Sequence, residues 1–247
     1  MNYYNEWDKT AAAWLRELIH EELIPHGEVD TRDIALVQPD ELKGFTQAHF
    51  FAGIGGWSLA LKLAGWPRNR SVWTGSCPCQ PFSIAGEKRA GEDNRDLWPI
   101  FSRLIRESRP DIIFGEQVAT AVKWGWYDRL CDDLEANGYA CGACCLQAAC
   151  VGAAHERERL FWVAANPSSA GRERRKHVER TPLCEKEAFT LCGDTPTLKG
   201  SPLAGRAIGL LHRDGLPVRV ARSSIKGYGN AIVPQAAAAF IAACPVW

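Results

Sequence analysis

The sequence predicts an α/β protein with a doubly wound, mostly parallel sheet and a small irregular region toward the C-terminus. Between residues 46 and 165, short apolar segments alternate with segments of helical periodicity. The first short segment runs into a glycine-rich turn, as is common in such folds. From residue 166 to about 205 the chain is polar and rich in Ser, Gly, Pro, Arg and Thr, which is typical of loops.

Four segments are predicted along the chain. Residues 1–45 show a helical pattern after Asp8 and are expected to form an accessory helical segment that packs on the sheet or binds a protein partner. Residues 46–165 form the core, and residues 166–226 form a small loop region. Residues 227–247 begin with a turn, continue as an apolar helix and complete the core.

The core is expected to contain five strands and four helices. The predicted strands are 47–51, 71–75, 111–115, 139–144 and 159–165. Helical spacing of apolar residues covers Leu59–Leu63, Leu97–Ile105 and Val122–Leu134, and a further helix starts at Pro234.

Composition is that of an ordinary globular chain. Its 247 residues are 46% hydrophobic, enough to bury one sizeable core, and 29 basic residues balance 29 acidic ones. The charge is uneven, since residues 1–150 hold 15 Lys and Arg against 21 Asp and Glu, and the remainder holds 14 against 8. The basic C-terminal part is therefore the side expected to face phosphates. With no secretory pattern and no apolar run of membrane-spanning length, we expect a cytoplasmic protein with reduced cysteines.

The turn after the first core strand contains Gly53, Gly55 and Gly56 and opens a helix. Glycines at such a turn let the backbone approach a ligand and direct helix N–H groups at it. Tight turns between strands and helices also need glycine for their conformation alone, so this motif leaves both interpretations open.

A second motif, GSCPCQPFS, spans residues 75–83. Cys77 and Cys79 cannot readily form a disulfide across one proline, and no second close cysteine pair follows to complete a metal site. Because this turn follows the predicted strand 71–75, Cys79 is expected at the carboxyl edge of the sheet, where α/β proteins bind ligands. The thiol is then either an inert cysteine or a nucleophile.

Two further strands carry charged groups to the same edge. The strand in DIIFGEQV ends at Glu116, where burial would raise the pKa of the carboxyl group and suit it to donate a proton. In HERERLFWVA, Arg157 and Arg159 are expected on one face of an incoming strand. Two guanidinium groups there would bind an anion or a carbonyl oxygen.

The order of these motifs resembles that of the DNA (cytosine-5) methyltransferase family. F-x-G-x-G-G is followed by P-C-Q, a strand ending in Glu, R-x-R and G-N-A-I-V-P, over most of residues 46–165 and 227–240. The stretch PCQPFS followed by Gly86, Lys88, Gly91, Asp93 and Arg95 is highly specific to that family. The resemblance implies that residues 166–226 recognise the DNA target.

The family's activity implies roles for individual residues. Such enzymes bind S-adenosylmethionine and DNA and extrude the target cytosine from the duplex. By the match, Cys79 attacks C6 of the base, Glu116 holds the ring and supplies a proton, and Arg159 with Arg157 stabilises the anionic pyrimidine. The methyl-donor site is implied for Phe51, Gly53, Ile54, Gly55, Gly56, Trp57 and Asn230. Contacts with the substrate are implied for Pro78, Gln80, Ser83 and Gln117.

The chain departs from the family pattern at two places. Gln117 stands where the family has Asn. Only 22 residues separate Gly56 from Cys79, where the family has room for two further strand–helix units. No Asp or Glu occurs between Glu41 and Glu87, so the carboxylate that usually holds the cofactor ribose is absent after the glycines.

Three hypotheses follow from these departures. The chain is a cytosine-C5 methyltransferase with a trimmed cofactor pocket, a related enzyme that uses another donor or needs a partner chain, or a non-catalytic DNA-binding relative. The third is disfavoured because binding alone needs no thiol. We predict no metal site, since Cys144 lies on the opposite strand face from Cys141 and Cys145 and the three thiols do not converge.

Overall fold

The described part of the protein forms a seven-stranded sheet with helices on both faces. The computed structural model describes residues 1–78, 96–153, 155–167 and 231–244. The strands are β1 (Asn2–Asn5), β2 (Gly27–Asp30), β3 (Gln47–Phe50), β4 (Val72–Gly75), β5 (Ile112–Val118), β6 (Ala140–Gln147) and β7 (Glu158–Ala165). The helices are α1 (Lys9–His20), α2 (Gly56–Leu63), α3 (Trp98–Ser108), α4 (Trp126–Ala136) and α5 (Pro234–Ala243). Short 3-10 segments occupy Ile34–Leu36, Pro39–Leu42, Ala119–Trp124 and Ala148–Val151.

The strand order is β2-β1-β3-β4-β5-β7-β6. The first five strands in this order are parallel to one another, and β7 runs antiparallel to both β5 and β6. Parallel strands bring their carboxyl ends to one edge of the sheet. The antiparallel β7 begins at that same edge, because Arg159 near its start pairs with Val118 at the end of β5.

Both faces of the sheet are covered. Helices α3 and α4 lie on one face, where Phe101 and Leu130 belong to the largest buried apolar cluster. Helices α1, α2 and α5 contribute to two smaller buried clusters. Leu61 of α2 and Ile241 of α5 belong to one of them, and Leu15 of α1 belongs to the other. The predicted doubly wound, mostly parallel α/β fold is thereby confirmed.

The five strands predicted between residues 47 and 165 are confirmed as β3 to β7. Strands β3, β4 and β5 are buried along nearly their whole length, as expected for parallel strands covered on both faces, whereas β6 is mostly half-buried. Helix α1 also begins as predicted, since the Asp8 side chain caps it by accepting the backbone N–H groups of Thr10 and Ala11.

The structure corrects the expectation that residues 1–45 form an accessory helical segment. Strands β1 and β2 from this segment extend the sheet beyond β3. Each has only four residues, and their sequences, NYYN and GEVD, contain no apolar run that would predict a buried strand. Their buried polar groups are paired instead, as in the hydrogen bonds from Asn2 to Gln47 (3.0 Å) and from Tyr3 to Asp30 (2.7 Å).

Other predictions on domain organisation remain untested by the fold. Most of the predicted loop region, residues 166–226, lies outside the described residues, and so does Asn230. Within the described part of the chain, no helix is both long and apolar enough to cross a membrane.

Gly115 in β5 keeps the sheet closely packed next to Glu116. A Cβ atom at this position would overlap the indole ring of Trp162, its partner across β5 and β7. We expect Gly115→Ala to destabilise the protein by about 1–3 kcal/mol or more, because the fully buried ring cannot move aside. Urea unfolding measures this change. Gly142→Ala on β6 is the control, since its Cβ would lie at an ordinary 3.7 Å from Val163, and equal effects of the two substitutions would contradict the explanation.

Candidate active site at the carboxyl edge of the sheet

Chemically active side chains from five strands meet at the carboxyl edge of the sheet. Glu6 follows β1, the glycine turn follows β3, and Ser76 to Pro78 follow β4. Glu116 lies near the end of β5, and Arg159 near the beginning of the antiparallel β7. This edge is where open α/β sheets bind their ligands.

The turn after β3 has the conformation that its glycines predict. Gly53 and Gly55 adopt positive φ angles of 55° and 81°, and Phe51 does so as well, with φ 52°. No atom of the described residues would lie within 4 Å of a Cβ atom at Gly53, so this part of the chain leaves the space above the turn open. Helix α2 then starts at Gly56, and its first N–H groups face the same edge without a side-chain cap.

A carboxylate lies directly on this turn. The Glu6 Oε2 atom accepts a hydrogen bond from the Gly53 N–H at 2.7 Å, and Oε1 accepts one from the Asp8 N–H at 2.8 Å. Burial raises the pKa of Glu6, and the two backbone hydrogen bonds partly oppose this rise. The sequence contains no Asp or Glu between Glu41 and Glu87, which includes the stretch after the glycines. In the structure, the carboxylate at this turn comes from Glu6, which follows β1 and precedes the glycines in the chain.

Glu116 and Arg159 form an ion pair at the centre of the edge. The Arg159 Nε atom lies 2.9 Å from the Glu116 Oε1 atom, and the Glu116 residue is 9% exposed. Burial raises the pKa of Glu116, while the charges of Arg159 and Arg157 and a hydrogen bond with Ser76 act in the opposite direction. The pair therefore combines a carboxyl group that can hold a proton with a fixed positive charge.

The two arginines do not share a strand face as predicted. Strand β7 begins at Glu158, and Arg157 precedes it with a positive φ of 29°. The Arg157 side chain donates a hydrogen bond to the carbonyl oxygen of Ala231 at 2.8 Å. Arg157 thus links the edge to the segment that leads into α5, and its charge still acts on Glu116.

The residues that lead into the Pro-Cys-Gln turn are fixed by two hydrogen bonds. Gln117 donates from Nε2 to the Cys77 carbonyl oxygen at 3.1 Å. The indole of Trp57 donates to the Ser76 hydroxyl at 2.9 Å. Cys77 is buried and Pro78 is exposed, so the chain emerges from the sheet at this point.

The structure thus brings most described members of the predicted site together. Glu116, Arg157 and Arg159 interact, the glycine turn lies on the same edge, and Trp57 and Gln117 contact the strand-end residues before Pro78. Cys79, Gln80, Ser83 and Asn230 lie outside the described residues, and their roles remain predictions. Sequence reasoning missed Glu6 and Ser76; the signal available for Glu6 was an acid directly after a short tyrosine-containing segment.

Comparison with known proteins gives one family. A sequence profile described as C-5 cytosine-specific DNA methylase matches residues 66–194, slightly more than half of the chain. Type II methyltransferase M.HgiCII of Herpetosiphon aurantiacus is 29% identical over 163 residues, which cover 49% of this chain and 37% of that protein. Type II methyltransferase M.AplI of Arthrospira platensis is 27% identical over 184 residues, covering 60% of this chain and 50% of that protein.

Solved structures of methyltransferases also align with the chain. A Spodoptera frugiperda DNMT2 mutant aligns with a TM-score of 0.43 and 16% identity, over 73% of this chain and 55% of that one. A putative DNA modification methyltransferase encoded within an E. coli prophage aligns with a TM-score of 0.42 and 19% identity, over 68% of this chain and 47% of that one. The chain matches about half or less of the length of its curated relatives. Because the family profile matches more than half of its residues, the chain belongs to the C-5 cytosine-specific DNA methylase family.

Proposed function

We propose that this protein methylates C5 of cytosine in DNA, with S-adenosylmethionine as the methyl donor. The observation that supports this function best is the buried Glu116–Arg159 pair, at the edge from which the chain leads into Cys79. A carboxyl group and a guanidinium group at one point can bind the ring nitrogen and the carbonyl oxygen of a pyrimidine. C5 of cytosine is not nucleophilic enough to accept a methyl group directly, and attack of a thiolate on C6 makes it so.

Each side chain has a distinct task in the proposed reaction. The Cys79 thiolate forms a bond to C6 of the extruded base, and the displaced electron pair makes C5 nucleophilic. Glu116 donates a proton to N3 and so neutralises the negative charge that develops on the ring. Arg159 stabilises the part of that charge that develops at the carbonyl oxygen. After the methyl group has passed from the donor to C5, the C5 proton is lost to solvent and the N3 proton returns to Glu116. Cleavage of the C6–S bond then restores the neutral ring and the thiolate.

The residues at the glycine turn fit S-adenosylmethionine. The space above Gly53 is open, α2 begins beside it, and Glu6 provides the carboxylate that a ribose diol binds in such folds. When bound there, the donor supplies an activated methyl group. The hypothesis that the enzyme uses a different donor was based on the missing carboxylate after the glycines. Glu6 lies at this turn and provides a carboxylate, so that reason no longer applies.

Labelled methyl transfer tests the proposal. Purified protein is incubated with unmethylated genomic DNA and S-adenosylmethionine carrying a deuterated methyl group, and the nucleosides are analysed by mass spectrometry. We expect deuterated 5-methylcytosine with the wild type and none with Cys79→Ala. If the wild type gives no labelled base but forms a Cys79-dependent adduct with 5-fluorocytosine DNA, another donor is used; if it forms neither product, the chain is not an enzyme of this class by itself.

A further inference from the structure

A second cluster of reactive side chains lies between α4 and β6, away from the proposed active site. Tyr127, Cys131 and Glu135 are spaced four residues apart along α4, so they lie on one side of that helix. Cys141, at the start of β6, completes the cluster. It pairs with Ala164 at the end of β7, five residues and about 17 Å along the strand from Arg159.

The potential metal ligands of this cluster converge. The two cysteine sulfur atoms and a Glu135 carboxylate oxygen all lie within 4.8 Å of one another. In a tetrahedral zinc site with Zn–S bonds of about 2.3 Å, the two sulfur atoms are about 3.8 Å apart. Small side-chain adjustments are therefore enough to place all three atoms around one ion.

The chemistry of these ligands selects the metal. Two thiolates and one carboxylate favour Zn²⁺ over Mg²⁺ and Ca²⁺, which prefer oxygen ligands alone. Cys131 is buried, whereas Glu135 and Cys141 are half-buried. The ion thus has a route from solvent, and it replaces the protons of two thiols on binding.

Tyr127 supports the same arrangement from the preceding helical turn. The Tyr127 hydroxyl forms a hydrogen bond with Cys131. A phenol can donate such a bond to a cysteine sulfur. A donor to a ligating thiolate orients that ligand and tunes the site.

We propose that Cys131, Glu135 and Cys141 bind one Zn²⁺ ion, with solvent completing its coordination and Tyr127 orienting Cys131. Among the described strands, β6 is the last of the sheet and pairs only with β7. The ion joins this edge strand to α4 and so stabilises the outer end of the fold. The prediction of no metal site considered only cysteines near one another in sequence, and Cys141 finds its partners on a helix instead.

Metal titration of the full-length, reduced and chelator-treated protein tests the site. Because other cysteines can also bind metals, we compare variants in a Cys79→Ala background, with Co²⁺ as the spectroscopic probe for Zn²⁺. We expect one Co²⁺ per chain with a thiolate-to-cobalt charge-transfer band. Cys131→Ser and Cys141→Ser should each lower the affinity by at least about 100-fold. Tyr127→Phe should lower it by about tenfold, since loss of a hydrogen bond to a metal ligand costs about 10–100-fold.

Cys145→Ser is the matched control, because Cys145 is a half-buried cysteine on the same strand that lies outside the cluster. It should retain the band and the affinity. A second measurement does not depend on the buried cysteine: Zn²⁺ should raise the melting temperature of the parent protein but not that of Glu135→Gln. The proposal is overturned if the charge-transfer band is absent, or if it persists unchanged in both cluster cysteine variants.

Discussion

Replacing Glu116 with glutamine should lower the rate of methyl transfer to DNA by about 10²- to 10⁴-fold, the range that a positioned acid contributes. Glutamine has the same shape and can still accept the hydrogen bond from Arg159, so the ion-pair geometry is disturbed little. It cannot donate an acidic proton to N3 of the cytosine. The affinity for S-adenosylmethionine should stay nearly unchanged, because in the proposed reaction Glu116 acts on the base and not on the donor.

Glu116 should also make the rate of methyl transfer depend on pH. Since burial raises the pKa of Glu116, its protonated form persists to higher pH than that of an exposed glutamate, and it is lost as the pH rises through this raised value. The wild-type rate at saturating donor should therefore decline on the alkaline side because of this ionisation. Glu116→Gln should lack this part of the decline.

Single-turnover methyl transfer, followed from pH 6 to pH 9, measures both effects. The matched control is Glu158→Gln, an exposed glutamate beside Arg159 that should leave the rate and its pH profile as they are in the wild type. A Glu116→Gln variant that retains most of its activity, or that keeps the wild-type alkaline decline, would remove Glu116 from the proton-donating role.

The sequence was sufficient to predict the central part of this site. An apolar run ends at Glu116 in β5, and another begins after Arg159 in β7. The family resemblance implied that the two residues act together, and they meet because β7 runs antiparallel to β5. The prediction that Arg157 and Arg159 share one strand face was wrong for a local reason. A positive φ at Arg157 places it before the strand, so the two-residue alternation does not apply to it.

Strands β1 and β2 could not be predicted from the sequence pattern, because they are largely polar. β1 and β2 carry Asn2, Asn5 and Asp30 in buried positions, where periodicity calls for apolar residues. They are stable there because side-chain hydrogen bonds satisfy their polar groups, and such pairings between distant residues leave no trace in local spacing. The same limit applies to the cluster on α4 and β6, whose members become neighbours only through packing.

The position of β1 explains the gap between the glycine turn and Cys79. The family has room for two strand–helix units within that gap, and this chain lacks them there. Instead, β1 and β2 lie beside β3, although they come from the beginning of the sequence. The order of the segments along the chain thus differs from the family pattern, whereas the sheet still extends beyond the glycine strand on that side.

Glu6 is the residue on which this interpretation can be tested. It lies at the carboxyl end of the strand next to the glycine strand, which is where dinucleotide-binding and related folds place the acid that binds ribose hydroxyls. We expect Glu6→Gln to weaken S-adenosylmethionine binding by about 10- to 100-fold. This range corresponds to the roughly 1.5–3 kcal/mol of a hydrogen bond to a charged group. The rate at saturating donor should change little, because Glu6 is remote from the base.

Calorimetric titration with S-adenosylmethionine measures the effect. Glutamine can still accept the Gly53 N–H with its amide oxygen, but its NH2 group cannot accept the Asp8 N–H that Oε1 accepts in the wild type. The melting temperature is therefore measured together with the affinity. Glu28→Gln, an exposed glutamate on β2, is the matched control and should bind as tightly as the wild type. An unchanged affinity in Glu6→Gln together with a lowered melting temperature would show that Glu6 only supports the turn. The donor would then need a carboxylate from another part of the chain or from a partner, and the N-terminal strands would serve the fold alone.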